Sequence, residues 1–162
     1  MKKRNLIVIP YGTPNWGIMS DNMKELLNSL IDPTDVVYLL PLWGLISTRD
    51  FHQSMLSGFA SMNEREITRQ TGLMIRSWLL HQGIIYDKIA LLNYGNTMNF
   101  WNIGVVKTPV VKKVTIVRYI PSKVRIIKKI VRTFNEDRTK NISLTAREKA
   151  NRLISKRGDK SS

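Results

Sequence analysis

The chain has 162 residues, no cysteine and a formal net charge of +14 at pH 7. This length is enough for one domain with its own hydrophobic core, and a hydrophobic fraction of 43% excludes wholesale disorder. The lack of cysteine excludes a disulfide framework and a thiolate metal site. With only two histidines a zinc site is not expected either, and the sequence carries no cofactor motif.

The amino-terminal apolar run does not predict export. It extends from Leu6 to Ile9 behind three basic residues and stops at Pro10, which is too short for a signal peptide. No stretch of the chain approaches the ~18 consecutive apolar residues of a membrane span. We therefore expect a cytoplasmic protein.

Apolar segments alternate with helical patterns along the first three quarters of the chain. Residues 5–10, 36–41, 88–93 and 113–119 are rich in Val, Ile and Leu and predict four strands. One helix is expected from Asp21 to Leu30 and a longer one from the Ser61–Glu64 capping box to Gly83. This alternation predicts an α/β domain over residues 1–121, with a mainly parallel Rossmann-like sheet and flanking helices.

Three of the segments end in an aromatic residue followed by glycine: Tyr11-Gly12, Trp43-Gly44 and Tyr94-Gly95. Ligands of open parallel sheets bind beyond the carboxyl ends of the strands, where aromatic rings can stack on a base. Asn15 and Asn96 add groups that suit a base edge or a sugar. The hypothesis is a nucleotide or base pocket formed by these eight residues. In the alternative, the rings close the core and the glycines form turns.

The candidates for acid–base chemistry are few. Asp50 and His52 lie close together after the second strand, and Asp21 lies near the first loop. A solvated polar loop is the better interpretation of the first pair, and a helix cap is the simpler role for Asp21. The sequence does not decide whether the protein is an enzyme.

The excess of positive charge is concentrated at the carboxyl end. Residues 101–162 contain 17 Lys or Arg and four Asp or Glu, against nine and eight in residues 1–100. Helices predicted at 123–134 and 146–156 make up most of a basic helical extension at residues 122–162. Their predicted cationic faces carry Arg125, Lys128, Lys129, Arg132, Arg147, Arg152 and Lys156.

A one-sided positive field of this kind is typical of proteins that bind phosphate backbones. DNA or RNA is therefore the expected partner. Binding to an anionic membrane surface is disfavoured, because the helix at 123–134 lacks Trp at its apolar edge. A basic face that serves only solubility is the remaining interpretation.

The runs LIVIPYG, VVYLLPLWGLIS and KIALLNYG, with a long helix that contains Trp78 between the last two, resemble a family of small α/β proteins. Related domains occur beside archaeal and phage tRNA- or DNA-guanine modification enzymes. The resemblance covers about residues 5–100, and the family's Tyr-Gly-Leu element corresponds to Trp43-Gly44-Leu45 here. A cysteine and a lysine that often follow the family's first strand are replaced by Tyr11 and Pro14. The resemblance implies a nucleotide-related context without assigning catalytic residues.

These observations predict a nucleic-acid-associated protein that acts in modification or processing, with a nucleotide pocket at the strand ends. The alternative is a non-enzymatic component of a nucleoprotein assembly.

Overall fold

The structure, a computed structural model, describes residues 4–14, 21–56, 62–105 and 113–135, with the backbone alone for residues 21–23. These residues form a five-stranded sheet with helices on both faces. The strands are β1 (Asn5–Pro10), β2 (Thr34–Leu40), β3 (Gly44–Ser47), β4 (Lys88–Asn93) and β5 (Val114–Arg118). The helices are α1 (Asp21–Ser29), α2 (Glu64–His81), α3 (Thr97–Val105) and α4 (residues 123–135), with a short 3-10 helix at Gln53–Leu56.

The strand order is β3-β2-β1-β4-β5. The four predicted strands all pair in parallel, which confirms the mainly parallel α/β sheet. The sequence did not predict β3, which runs antiparallel to β2. The apolar run predicted as one strand turns back after Leu40, where Leu42 takes a left-handed backbone conformation with φ 68°. Periodicity alone does not detect such a reversal, because both arms of the hairpin are apolar.

Both faces of the sheet are covered, which explains the near-continuous apolar strands. On one face, Ile7, Ile9 and their neighbours pack under α1 and α4; we call this the α1/α4 face. On the other, Leu6, Val8 and their neighbours pack under α2 and α3; this is the α2/α3 face. Successive residues of β1 alternate between the two faces, as strand geometry requires.

The helices of the α2/α3 face pack at close range. The side chain of Asn63 caps α2 by accepting a hydrogen bond from the Glu66 amide at 2.8 Å. The predicted cap, Ser61, lies outside the described residues. Gly83 follows the helix with φ 62°, as predicted. A Cβ atom at Gly72 would lie 2.3 Å from the Ile103 side chain, so α2 and α3 can touch only because residue 72 is glycine. The sequence did not predict α3.

Helix α4 belongs to the core of the α/β domain. Ile126, Ile127, Ile130 and Phe134 are all buried among residues of the sheet. Val124 is apolar, but its side chain is 54% exposed, whereas Ile126 is buried. The buried arc centres near Ile130, and Val124 lies at its margin. Residues 123–135 of the predicted extension therefore pack on the same core as the sheet, and its remaining residues, 136–162, lie outside the described residues.

Candidate functional site

The carboxyl ends of β1 and β4 form the topological switch point of the sheet. From β1 the chain continues through α1 on one face to β2, whereas from β4 it continues through α3 on the other face to β5. Ligands of doubly wound sheets bind in the crevice at this point. Tyr11-Gly12 and Tyr94-Gly95 both lie there, as the sequence predicted.

Both switch-point loops are closed by a threonine. The Thr13 hydroxyl donates to the Pro10 carbonyl at 2.6 Å, and the Thr97 hydroxyl donates to the Tyr94 carbonyl. Each loop makes its turn at a glycine with positive φ, 91° at Gly12 and 61° at Gly95. Both threonines are buried, and the hydrogen bonds that their hydroxyl groups donate stabilise the turns.

The three strand-end rings do not converge around one cavity. Tyr11 stacks on Phe51 at a centroid distance of 5.0 Å, and Tyr94 packs edge-on against Tyr119 at 5.1 Å. Trp43 instead lines a cavity of about 210 Å³ beside α2, together with Met74 and His81 among others. The reversal of the chain after β2 carries Trp43 away from the other two rings.

Gly44 has a packing role that the sequence did not reveal. A Cβ atom at this position would lie 2.8 Å from backbone atoms of Met74 and Ile75 in α2. Its φ of 76° also disfavours any side chain. The expected contact between Gly44 and a ligand is replaced by contact with a helix.

The remaining candidates of the predicted site are scattered. Asn96 is exposed immediately before α3, whereas Asn15 and the side chain of Asp21 lie outside the described residues. Asp50 and His52 are exposed, and the amide of Asp50 donates to the Ser47 carbonyl at 3.0 Å. These exposed positions agree with a solvated polar loop. Within the described ranges, no cluster of three or more His, Asp or Glu could hold a metal ion.

The sequence did not single out Arg118, a cation at the switch-point end of the sheet. Arg118 lies opposite Asn93 across β4 and β5, and both residues are exposed. A charged residue at the end of an apolar strand is the signal that could have identified it, because such positions open onto the ligand side of the sheet.

The outer surface of α4 is a cationic face. Arg125, Lys128, Lys129 and Arg132 are all exposed. At 3.6 residues per turn they share an arc of about 100° and extend about 10 Å along the helix axis. Residues 113–135 contain no Asp or Glu at all. Arg147, Arg152 and Lys156 lie outside the described residues.

Two polar side chains anchor the last described turn of α4. The buried Lys88 ammonium donates to the Phe134 carbonyl at 3.0 Å. The Asn135 side chain donates to the Ser29 carbonyl at 2.8 Å and accepts from the Ile31 amide at 3.1 Å. The cationic face therefore stands on a helix that is held to the sheet and to the end of α1.

A charged network lies at the opposite end of the sheet. The Arg4 guanidinium forms a bidentate pair with Asp35, and the Tyr86 hydroxyl donates to the same carboxylate at 2.8 Å. Burial raises the pKa of Asp35, but the hydrogen bonds from Arg4 and Tyr86 lower it by a larger amount. The net pKa of Asp35 is therefore below its ordinary value. Burial and the bond to Asp35 raise the pKa of Tyr86.

Comparison of the chain with protein-family models, curated proteins and solved structures gives no significant match.

In the part of the chain that the structure describes, no helix is long and apolar enough to cross a membrane. A functional interpretation therefore has to start from the geometry and charge of these surfaces.

Proposed function

We propose that the protein binds the phosphate backbone of nucleic acid through the cationic face of α4, formed by Arg125, Lys128, Lys129 and Arg132. One observation carries the proposal: four exposed cations share one side of a helix whose other side is core, in a segment without acidic residues. A mixed-charge surface would serve solubility equally well. A one-sign surface attracts polyanions over distances comparable to the Debye length, about 10 Å at 0.1 M salt.

The dimensions of the face suit several phosphates at once. Its length of about 10 Å corresponds to about three phosphates of one strand, at 3.4 Å rise per nucleotide in duplex DNA. Lysine and arginine at phosphates position a protein without identifying bases. We therefore expect binding with little sequence preference.

The packing of α4 argues against insertion into a membrane. An amphipathic helix that binds membranes buries its apolar face among lipids. In this protein Ile126, Ile130 and Phe134 are already buried in the domain, so that face is occupied. Only the charges remain for contact, and they favour a phosphate-rich polymer.

The test compares two triple charge reversals under a salt titration. Fluorescence anisotropy gives the affinity for labelled duplex DNA, duplex RNA and single strands at several salt concentrations. Reversal of Lys128, Lys129 and Arg132 to Glu should weaken binding and lower the slope of log K against log salt. Each lost phosphate contact should remove roughly 0.9 from the slope on duplex DNA and roughly 0.7 on single strands.

The matched control lies on the other face of the sheet. Arg65, Arg69 and Arg76 of α2 are also exposed, and their reversal to Glu changes the net charge by the same amount. The control should leave the affinity closer to that of the wild type, because Arg65 and Arg69 lie within about one turn of Glu64 and Glu66 and belong to a surface of mixed charge. Equal losses in both variants would show that only net charge matters and would contradict the proposal. Anionic vesicles in a parallel titration identify a lipid preference, which would also contradict it.

The second candidate is a non-enzymatic component of a nucleoprotein assembly. The rings of Tyr11 and Tyr94 pack against Phe51 and Tyr119, and threonine hydroxyls close both switch-point loops. These contacts support a structural role for the strand ends. Mass spectrometry of oligonucleotides incubated with the protein tests this candidate, since a modifying enzyme would change the mass of the oligonucleotide and an assembly component would leave it unchanged.

A further inference from the structure

The two edges of the sheet differ in how they are covered. At one edge, Gly44 and Leu45 of β3 are both buried, and α2 packs against them. At the other edge, β5 pairs with β4 alone, and its central residue Ile116 is 41% exposed. The backbone groups of an open edge can pair with another strand, so natural proteins usually cover, shorten or charge such edges. The β5 edge therefore has room for a further strand.

The register of β5 shows which of its backbone groups point to the open side. The amide of Ile89 donates to the carbonyl of Lys113 at 2.9 Å, so Lys113 faces β4. Backbone groups of successive residues in a strand alternate in direction, so the other odd-numbered residues of β5 also face β4. The residues whose N–H and C=O groups point away from β4 are Val114, Ile116 and Arg118.

The side chains along this edge include an exposed apolar group and an exposed cation. Val117 is buried in the core of the α1/α4 face, and successive side chains of a strand alternate between faces. Ile116 and Arg118 therefore project from the α2/α3 face, and both residues are exposed. Directly opposite residues of two paired strands have neighbouring side chains on the same face. An added strand would thus place one residue beside Ile116 and another, two positions away, beside Arg118.

The segments around this edge carry only positive charges. Residues 88–135, which form β4, α3, β5 and α4, contain ten Lys or Arg and no Asp or Glu. A second copy of the chain would bring the same positive edge against itself, at a net charge of +14 per copy. A phosphate backbone would be attracted, but its oxygens only accept hydrogen bonds, whereas the edge presents N–H and C=O groups in equal number. An acidic polypeptide strand matches both the charge and the hydrogen-bonding pattern.

We propose that the β5 edge binds an extended acidic segment of a partner protein as an added antiparallel strand. In this mode of recognition, main-chain hydrogen bonds supply affinity and alternate side chains supply specificity. The antiparallel direction is favoured because such pairing is slightly more stable per residue. The segment carries an apolar residue opposite Ile116 and an Asp or Glu two positions before it, opposite Arg118. The edge is separate from the cationic face of α4, and the proposal does not rest on nucleic-acid binding.

Fluorescence anisotropy of the full chain with the labelled peptide Glu-Thr-Val-Thr-Val-Glu tests the backbone pairing. The first Glu of this peptide lies opposite Arg118 and its first Val opposite Ile116. N-methylation of that Val removes an N–H that faces β5 and should weaken binding about two- to tenfold, the loss of one hydrogen bond. N-methylation of the second Thr removes an N–H that faces away from β5 and should leave the affinity unchanged.

A charge swap tests the side-chain contact. Arg118→Glu should weaken binding of the Glu peptide and strengthen binding of the same peptide with Lys in place of its first Glu. Each change should be about two- to fivefold, because pairs of exposed charges are weak. Arg76→Glu alters an exposed arginine of α2 and changes the net charge by the same amount. This control should leave the preference for the Glu peptide over the Lys peptide unchanged.

Five results would overturn the proposal. One is that the Glu peptide does not bind. Another is that the two N-methylated peptides bind equally, because the edge would then not pair with a strand. A third is that Arg118→Glu and Arg76→Glu shift the peptide preference equally, because only net charge would then matter.

The last two results concern other occupants of the edge. If Arg118→Glu weakens oligonucleotide binding more than Arg76→Glu does, a phosphate backbone occupies the edge. If the chain alone sediments as a dimer and Ile116→Lys converts it to a monomer of 18.7 kDa, a second copy occupies the edge.

Discussion

Two amphipathic helices, α2 and α4, cover opposite faces of the same sheet and differ in what they present to solvent. Both bury an apolar side against the strands. Helix α2 mixes Arg65 and Arg69 with Glu64 and Glu66, whereas α4 exposes cations without a single acid. Burial of the apolar side serves folding in both cases. The two helices therefore differ in the charge composition of the outer side, which folding does not constrain.

The largest expected effect tests whether α4 is part of the core. Phe134→Ala should lower the free energy of unfolding by about 3–5 kcal/mol, because Phe134 is 1% exposed and its removal leaves a cavity under the helix. Val124→Ala on the same helix should change it by less than about 0.5 kcal/mol, since that side chain is 54% exposed. Urea denaturation of both variants measures the difference. If both variants lose the same small amount of stability, α4 is not part of the core.

The next prediction concerns the α2/α3 face and uses two glycines with similar backbone angles. Gly44→Ala should lower the free energy of unfolding by about 2–4 kcal/mol, because the new methyl group would press on the α2 backbone and φ is positive. Gly95→Ala should lower the free energy of unfolding by only about 1–2 kcal/mol. Its φ is also positive, but the new methyl group would have no neighbouring atom within 4 Å. Thermal unfolding compares them. If the two variants have the same stability, α2 does not require glycine at residue 44.

The smallest effect is expected at the ion pair of Arg4 and Asp35, which remains partly exposed to water. The pKa of Asp35 is lowered in the folded protein, so its carboxylate contributes stability at neutral pH. That contribution is lost as the pH falls from the ordinary carboxyl pKa, ~3.9, through the lower folded value. Asp35→Asn should therefore be less stable than the wild type at neutral pH, and the difference should shrink in acid. Urea denaturation at a series of pH values measures it, and a difference that stays constant with pH would contradict the assignment.

The local sequence pattern predicted a structural feature correctly where a single property, hydrophobicity or the spacing of charges, determined that feature. The strands β1, β2 and β4 are apolar because both of their faces are covered, and that apolarity is visible in the sequence. The exposure of Arg125, Lys128, Lys129 and Arg132 followed equally from helical spacing. The predicted function of those side chains is still a proposal, because exposure alone does not specify a partner.

The predicted pocket illustrates where local pattern is insufficient. Tyr11, Trp43 and Tyr94 each precede a glycine, and the sequence offers no way to distinguish them. The chain reverses at Leu42 and binds α2 through a hydrogen bond from the Leu42 amide to the Thr71 hydroxyl at 2.7 Å. That contact joins residues 29 positions apart, which no local window contains. The missed helix α3 has a similar cause, since its helical character depends on packing against α2 and β4.

The α/β class, the four parallel strands and the cationic side of α4 could be predicted from the amino-acid sequence, because hydrophobic period and charge spacing act over a few residues at a time. That α4 completes the core and that Gly44 contacts α2 is visible only in the folded chain. These features depend on which segments meet in space. Such contacts are stabilised by side chains and backbone groups that are distant in the chain, so a local sequence pattern does not predict them.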